Sequence, residues 1–124
     1  MSKIKVSDLL VEVSRVGNAN PDVKYQDRVK ERDPELLSRL CRYEVAGKPG
    51  CIVGEALSNL GVDIRTLTQL DDEAENGSGV ANIVYEFADL FEVDDVQAVF
   101  ELRDVQNCQD KGYSWGDSVE FLKW

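Results

Sequence analysis

The stretch CRYEVAGKPGCIVGEAL, residues 41–57, carries the clearest local structural signals in the chain. Two short runs containing strand-forming residues flank a turn centred on Gly47 and Lys48, and Pro49 rigidifies the return of the chain. This pattern predicts an antiparallel β-hairpin over about residues 42–53. The residues that follow have the spacing of an amphipathic helix, so the stretch also predicts a hairpin that leads directly into a helix.

A register for this hairpin follows from the position of its turn. Tyr43 is expected opposite Ile52, and Glu44 opposite Cys51. Because side chains alternate between the two faces of a strand, Cys51 is expected on the face opposite Tyr43. Gly54, which has no side chain, is expected to let the strand meet the helix closely.

Two cysteines bracket the turn, and they raise the question of a chemical site. Structural zinc needs four suitable ligands, usually in closely spaced pairs, whereas Cys41 and Cys51 are far apart, Cys108 is distant, and the chain has no histidine. We therefore expect no metal and no cofactor, and three free thiols in a reducing compartment. Cys51 is predicted to be a small buried apolar residue, and a thiol enzyme that uses Cys51 as its nucleophile is retained as an alternative.

The rest of the chain is mainly helical by its periodicity. Apolar residues recur at helical spacing in the segments 7–16, 34–40, 54–60, 80–91 and 95–111. The helix over 95–111 is apolar around most of its circumference, which predicts a central position. Residues 21–32 and 71–79 are polar and are predicted as loops. The fold class is therefore mainly α (α+β), a compact single-domain helical bundle over residues 1–124 with one short hairpin.

The charge of the chain is concentrated in one segment. The formal net charge is −10, yet residues 1–70 hold eleven basic and ten acidic residues, while residues 71–110 hold twelve acidic residues and only Arg103 as a base. Such a field repels nucleic acid and attracts a basic protein surface. We therefore expect no direct binding to nucleic acid, and a basic protein as the partner.

The absence of histidine removes the commonest catalytic base, so the chain is expected to be a non-enzymatic binding protein. The start of the chain has no signal-peptide pattern and no apolar run is long enough for a bilayer, which predicts a cytoplasmic protein that does not engage a membrane. The sequence does not indicate an oligomeric state. The predicted partner-binding carboxylates are Asp71, Asp72, Glu73, Glu75, Glu86, Asp89, Glu92, Asp94 and Asp95.

A second hypothesis places a small anionic ligand, such as a nucleotide, near the hairpin. Basic residues are spread over positions 24–48, although acidic residues are interleaved with them. The alternative ligand-binding residues are Arg39, Arg42 and Lys48. In this interpretation the protein would act as a sponge for a metabolite or signalling nucleotide.

Two motifs resemble those of small uncharacterised proteins of bacteriophages and actinobacteria. The first is the hairpin sequence in residues 41–62, with its Cys-x-Tyr and Gly-x-Pro-x-Cys-x-Val-Gly elements. The second is a Gln-Asp-x-Gly-x-x-Trp-Gly motif, matched here by Gln109, Asp110, Gly112, Trp115 and Gly116. The resemblance implies a phage or actinobacterial origin and brings no known activity. Small acidic phage proteins outside the virion often bind and inhibit host or defence proteins, and the expectation of such a role here comes from that class of proteins, not from the two motifs.

Overall fold

The computed structural model describes residues 3–32, 43–73, 79–120 and 122. Helices dominate this part of the chain, as predicted. The elements are β1 (Ile4–Lys5), α1 (Val6–Ala19), α2 (Tyr25–Arg32), β2 (Glu44–Val45), β3 (Lys48–Pro49), α3 (Ile52–Asn59), α4 (Ile64–Glu73), α5 (Val80–Glu86), β4 (Phe91–Glu92), α6 (Val96–Asp110) and α7 (Trp115–Val119). Within the described ranges, no helix combines the length and the apolar character that crossing a bilayer requires.

Helices α1 and α6 form the centre of the molecule. Helix α6 packs against α5, α7, α1 and α3, and α1 packs against α3 and α7 as well. Leu9 and Val13 of α1, with Leu102 and Val105 of α6, are fully buried. The predicted central position of the longest helix is therefore confirmed, although it shares that position with α1.

The hairpin is present and is shorter than predicted. Its two strands span residues 44–49 rather than 42–53, and they are joined by a turn at Ala46 and Gly47. Both turn residues have positive φ angles, 53° and 78°. That combination is typical of a two-residue turn whose twist matches the twist of the paired strands.

The predicted register of the hairpin is wrong by two residues. Glu44 lies opposite Pro49, not opposite Cys51. Likewise, the Tyr43 carbonyl accepts a hydrogen bond from Gly50 N at 2.9 Å. The second strand ends early because Cys51 already occupies the N-cap position of α3. The helix therefore begins where the sequence predicts the end of a strand.

Gly54 has the predicted role. A Cβ added at this position would lie 2.3 Å from the carbonyl oxygen of Tyr43 and 2.9 Å from its Cα. Those atoms belong to the backbone and cannot rotate away as a flexible side chain could. Only glycine therefore allows α3 to approach the first strand of the hairpin this closely.

A second pair of strands has no precursor in the sequence analysis. Strand β1 runs parallel to β4, with Ile4 opposite Phe91, and Ile4 N donates to the carbonyl of Leu90 at 2.8 Å. The predicted helix over 80–91 therefore ends at Glu86, and its last residues form a turn and a strand. This pairing fastens the start of the chain to the connection between α5 and α6.

The polar segment 21–32, predicted as a loop, contains helix α2. Tyr25 and Val29, one helical turn apart, are 2% and 1% exposed. Two buried side chains on one face are enough to dock a short helix, even though its other residues are polar. The predicted helix over 34–40 lies outside the described residues.

Helix α4 continues into the acidic segment that the sequence predicts as a loop. It includes Asp71, Asp72 and Glu73. The predicted loop over 71–79 is therefore helical in its first three residues. Residues 74–78 lie outside the described residues.

The expectation of three free thiols is wrong. Cys51 is disulfide-bonded and fully buried, and its partner sulfur lies outside the described residues. Cys108 is a free thiol and is partly exposed. The predicted burial of Cys51 is confirmed, whereas its predicted oxidation state is not.

Candidate functional site

The side chain of Gln109 connects the two sequence motifs. Its Oε1 accepts hydrogen bonds from Ile52 N at 2.7 Å and from Trp115 Nε1 at 3.1 Å, and its Nε2 donates to Asp110 Oδ1 at 3.1 Å. Gln109 and Trp115 are fully buried. The end of the hairpin and the start of α7 are therefore joined through one amide, which is a structural role.

A second glutamine on α6 has a similar position. Gln106 Oε1 accepts a hydrogen bond from Val80 N at 2.8 Å, and its Nε2 donates to the hydroxyl oxygen of Tyr43 at 3.2 Å. Tyr43 is fully buried, and this burial raises the pKa of its phenol far above the ordinary value. Tyr43 therefore stays neutral at physiological pH. We call Tyr43, Gln106 and Gln109 the polar core cluster.

The sequence pattern does not reveal this cluster, because glutamines on a helix usually face solvent. Conversely, two apolar residues of α6 that are expected from the sequence to be packed by neighbours lie at the surface: the Val96 side chain is 55% exposed and the Phe100 side chain is 45% exposed. The predicted apolar surface around α6 is therefore incomplete. One signal was available, because Gln109 is the first residue of the C-terminal motif.

Arg28, one of the basic residues considered for anion binding, is engaged within the fold. Its guanidinium lies 4.4 Å from the centre of the Trp115 ring. Its Nη1 donates to the carbonyl of Gly50 at 3.2 Å and more weakly to that of Pro49 at 3.4 Å. Its Nη2 lies 3.7 Å from a carboxylate oxygen of Glu55. Arg28 thus holds α2, the hairpin and α7 together.

The other residues predicted for an anionic ligand form no basic site among the described residues. Arg39 and Arg42 lie outside those residues, and Lys48 is exposed on β3. A depression of about 340 Å³ lies near α2, and it is lined by Asp22, Val23, Lys24, Asp27, Arg28 and Glu31. Three carboxylates around two cations weaken the attraction for an anion.

The nine predicted partner-binding carboxylates divide into groups with different surroundings. Asp71 belongs to the fold: its Oδ1 accepts from Tyr43 N at 3.0 Å, and its Oδ2 accepts from Glu44 N at 3.1 Å. This carboxylate fastens the first strand of the hairpin to α4. Because both carboxylate oxygens of Asp71 accept hydrogen bonds from backbone donors, the main role of this residue is structural and not the binding of a partner.

Asp94 and Asp95 also have structural roles. Asp94 Oδ1 accepts from Ser7 N at 3.0 Å, and its Oδ2 accepts a short hydrogen bond from the Ser7 hydroxyl. The hydrogen bonds from the side chain and backbone of Ser7 hold the pKa of Asp94 below its ordinary value. Asp95 is the N-cap of α6 and accepts from Gln97 N at 3.0 Å. Both carboxylates therefore satisfy donors at the start of a helix.

Asp94 and Asp95 are themselves exposed, and the remaining predicted carboxylates include others that face solvent. Those others are Asp72, Asp89 and Glu92. Glu86 is half-buried, Glu75 lies outside the described residues, and no side-chain position is described for Glu73. Five of the nine predicted carboxylates are therefore exposed, and Asp94 and Asp95 among them also bind backbone donors within the fold.

A groove of about 400 Å³ lies within this acidic region. Thr66, Gln69 and Leu70 of α4 form one wall, and residues 86–90, between α5 and β4, form the other. We call this set of residues the acidic groove. Among the described residues it contains Glu86 and Asp89 and no basic residue, while its apolar lining comes from Leu70 and the 86–90 wall. Asp72 follows two residues after Leu70 on α4.

No protein-family model, no curated protein and no solved structure matches this chain. Evidence about its function therefore comes from its own residues. Those residues separate into internal carboxylates, with Asp71 as the example, and solvent-facing ones, with Asp72 as the example. The second group, together with the acidic groove, forms the candidate site.

Proposed function

We propose that this chain is a non-enzymatic accessory protein, encoded by a phage, that inhibits or modulates a host or defence protein through an acidic surface. The partner presents a basic surface, and the acidic surface can imitate the phosphate field of a nucleic acid. The observation that supports this most directly concerns Asp72, Asp89 and Glu92, which are exposed. Within the described part of the chain, their carboxylates accept no hydrogen bond and form no ion pair.

Like charges that are not neutralised repel one another and destabilise a compact state. The segment 71–110 carries twelve acidic residues against one basic residue. Asp71, Asp94 and Asp95 compensate for that repulsion by satisfying backbone donors. The exposed carboxylates of Asp72, Asp89 and Glu92 satisfy no backbone donor within the described fold. Their charge therefore costs stability without a structural benefit, which favours a role in binding another molecule.

The two alternatives have less support. For a thiol enzyme, the Cys51 sulfur would have to be exposed and reduced, whereas it is buried and disulfide-bonded. For a nucleotide sponge, the cations near α2 would have to be unopposed, whereas Lys24 and Arg28 share their depression with carboxylates. No described feature favours either function over the acidic surface.

The test is affinity capture from a bacterial host lysate with two matched triple variants. The first carries Asp72→Lys, Asp89→Lys and Glu92→Lys. The second carries Asp22→Lys, Glu31→Lys and Glu120→Lys, which are also exposed and lie outside the acidic segment. Both variants change the net charge equally, so a general charge effect would appear in both.

We expect the first variant to lose the captured partner and the second to keep it, with capture by the wild type weakened as salt is raised. Asp94 and Asp95 are unsuitable for this test, because reversing either charge removes a helix cap. A partner that binds the first variant as well as the wild type, at low and high salt alike, would rule out the proposed function.

A further inference from the structure

We propose that the acidic groove is the anchor point of this interface and takes an apolar side chain from a partner segment in which Lys or Arg residues flank that side chain. This inference rests on the proposed function and gives the chemistry of the partner. The occupant is a segment of another protein, because the groove combines two features that a simple ion would not need: an apolar lining and an acidic rim.

The apolar lining comes from both walls. Leu70 is buried at the back of the groove, and Phe87 and Leu90 are partly buried and pack against the main core. Ala88 is exposed, and its small side chain also lines the groove. The volume, about 400 Å³, falls within the range of roughly 300–1,000 Å³ that is usual for binding clefts. An apolar side chain that enters here displaces water from apolar surface.

The rim selects the charge of the segment. Glu86 and Asp89 belong to the same wall, and none of the lining residues in the described ranges is basic. A partner chain with Lys or Arg on either side of the apolar residue would place its cations beside these carboxylates. An acidic or phosphorylated segment would be repelled, and so would nucleic acid.

The groove is fixed before any partner arrives. On the 86–90 wall, the Phe87 carbonyl accepts hydrogen bonds from Leu90 N at 2.9 Å and from Phe91 N at 3.2 Å. The Leu90 carbonyl accepts from Ile4 N, so the wall is also fastened to β1. A preorganised site loses less conformational entropy on binding, which favours recognition of a short segment.

The experiment uses three synthetic peptides of equal length with the isotopically labelled full chain in low salt. The mixed peptide has a central Leu and Phe flanked by Lys and Arg. The charge-only peptide replaces Leu and Phe with Ser, and the apolar-only peptide replaces Lys and Arg with Gln. Binding is followed by chemical-shift changes of backbone amides in NMR titrations.

We expect the mixed peptide to shift amides of residues 66–70 and 86–90 and to bind about tenfold more tightly than the charge-only peptide, the effect usual for an apolar group in a fitted pocket. Ala88→Trp, which adds a large side chain to the lining from an exposed position, and Asp89→Lys should each weaken binding of the mixed peptide about tenfold. Asp22→Lys, the matched charge control, should change its affinity less than about twofold. Circular dichroism checks that each variant is folded. If Ala88→Trp does not fold, Asp89→Lys still tests the proposal.

The failures can be told apart. Equal binding of the mixed and charge-only peptides, with shifts spread beyond the groove to Asp72 and Glu92, would overturn the anchor while the proposed acidic-surface function stood. Equal binding of the mixed and apolar-only peptides would overturn the requirement for Lys or Arg. If no peptide shifted any amide, the groove and the attraction for basic segments would both be overturned.

Discussion

The hairpin corner, residues 43–52, and the acidic groove treat their polar groups in opposite ways. At the hairpin corner, backbone donors and side chains are matched by partners from distant parts of the chain, among them Asp71 and Gln109. At the groove, Asp89 is exposed to solvent, as is Asp72 nearby on α4. Asp71 and Asp72 are adjacent in sequence, so their roles differ only through the direction in which the helix points them. Counting charges along the sequence therefore identifies an acidic segment, but it does not identify which of its carboxylates are available to a partner.

Helix starts show how far the internal matching extends. The N-cap residues of α1, α3 and α5 make no side-chain capping bond. Instead, α1 is capped by Asp94, α3 by Gln109 and α5 by Gln106. Each remote cap satisfies a backbone donor that a helix cannot satisfy within itself. The fold thus depends on three polar side chains: Asp94, in the connection between β4 and α6, and Gln106 and Gln109 on α6. Substitutions of these residues should affect stability most.

The largest effect is expected for Gln109→Leu. This change removes the acceptor for Ile52 N and for Trp115 Nε1, and two buried donors left without partners should cost about 3 kcal/mol of unfolding free energy. Gln97→Leu is the control, because Gln97 is exposed on the same helix. It should stay within about 0.5 kcal/mol of the wild type in urea denaturation. Equal stability of the two variants would contradict the structural role of Gln109.

The next largest effect separates two adjacent carboxylates. Asp71→Ala leaves Tyr43 N and Glu44 N without their charged acceptor, and we expect a loss of about 2 kcal/mol of unfolding free energy. Asp72→Ala removes an exposed side chain, and its effect should be within about 0.5 kcal/mol. Denaturation in urea measures both values. A larger loss for Asp72→Ala than for Asp71→Ala would reverse the assignment of inner and outer carboxylates.

The mainly helical fold could be predicted because amphipathic periodicity is a local property that each helix carries in its own sequence. The close approach at Gly54 could also be predicted, since it follows from residue size. Helix α2 could not, because only Tyr25 and Val29 face the core and tertiary packing supplies its stability.

The hairpin register and the remote caps depend on contacts between distant residues. The second strand ends where α3 begins, and Gln109, 57 positions further along, accepts from the first helical residue. No local pattern around Cys51 contains that information. The same is true of the candidate site. Composition predicts the acidic segment, whereas the different roles of Asp71 and Asp72 can be assigned only from the positions of the residues around them.

The smallest effect tests a helix cap through its dependence on pH. Hydrogen bonds from Ser7 lower the pKa of Asp94 in the folded state below its ordinary value of 3.8. The ionised carboxylate therefore stabilises the fold above that ordinary value, and the stabilisation is lost as the pH falls through the lower, folded-state pKa. Asp94→Asn keeps an oxygen that can accept from Ser7 N but loses the negative charge, so it should destabilise the protein by about 0.5 kcal/mol at pH 7, the usual contribution of a charge at a helix N-terminus.

Thermal unfolding of the wild type and of Asp94→Asn, measured from pH 7 down to the acid limit of the folded state, gives the test. The difference between them should shrink once the pH falls below 3.8, since the wild-type carboxyl group is then neutralised as well. Glu92→Gln is the control, because Glu92 is an exposed carboxylate two residues away that contacts no helix start in the described structure. A difference for Asp94→Asn that stayed constant at acid pH would show that shape, and not charge, makes Asp94 the cap of α1.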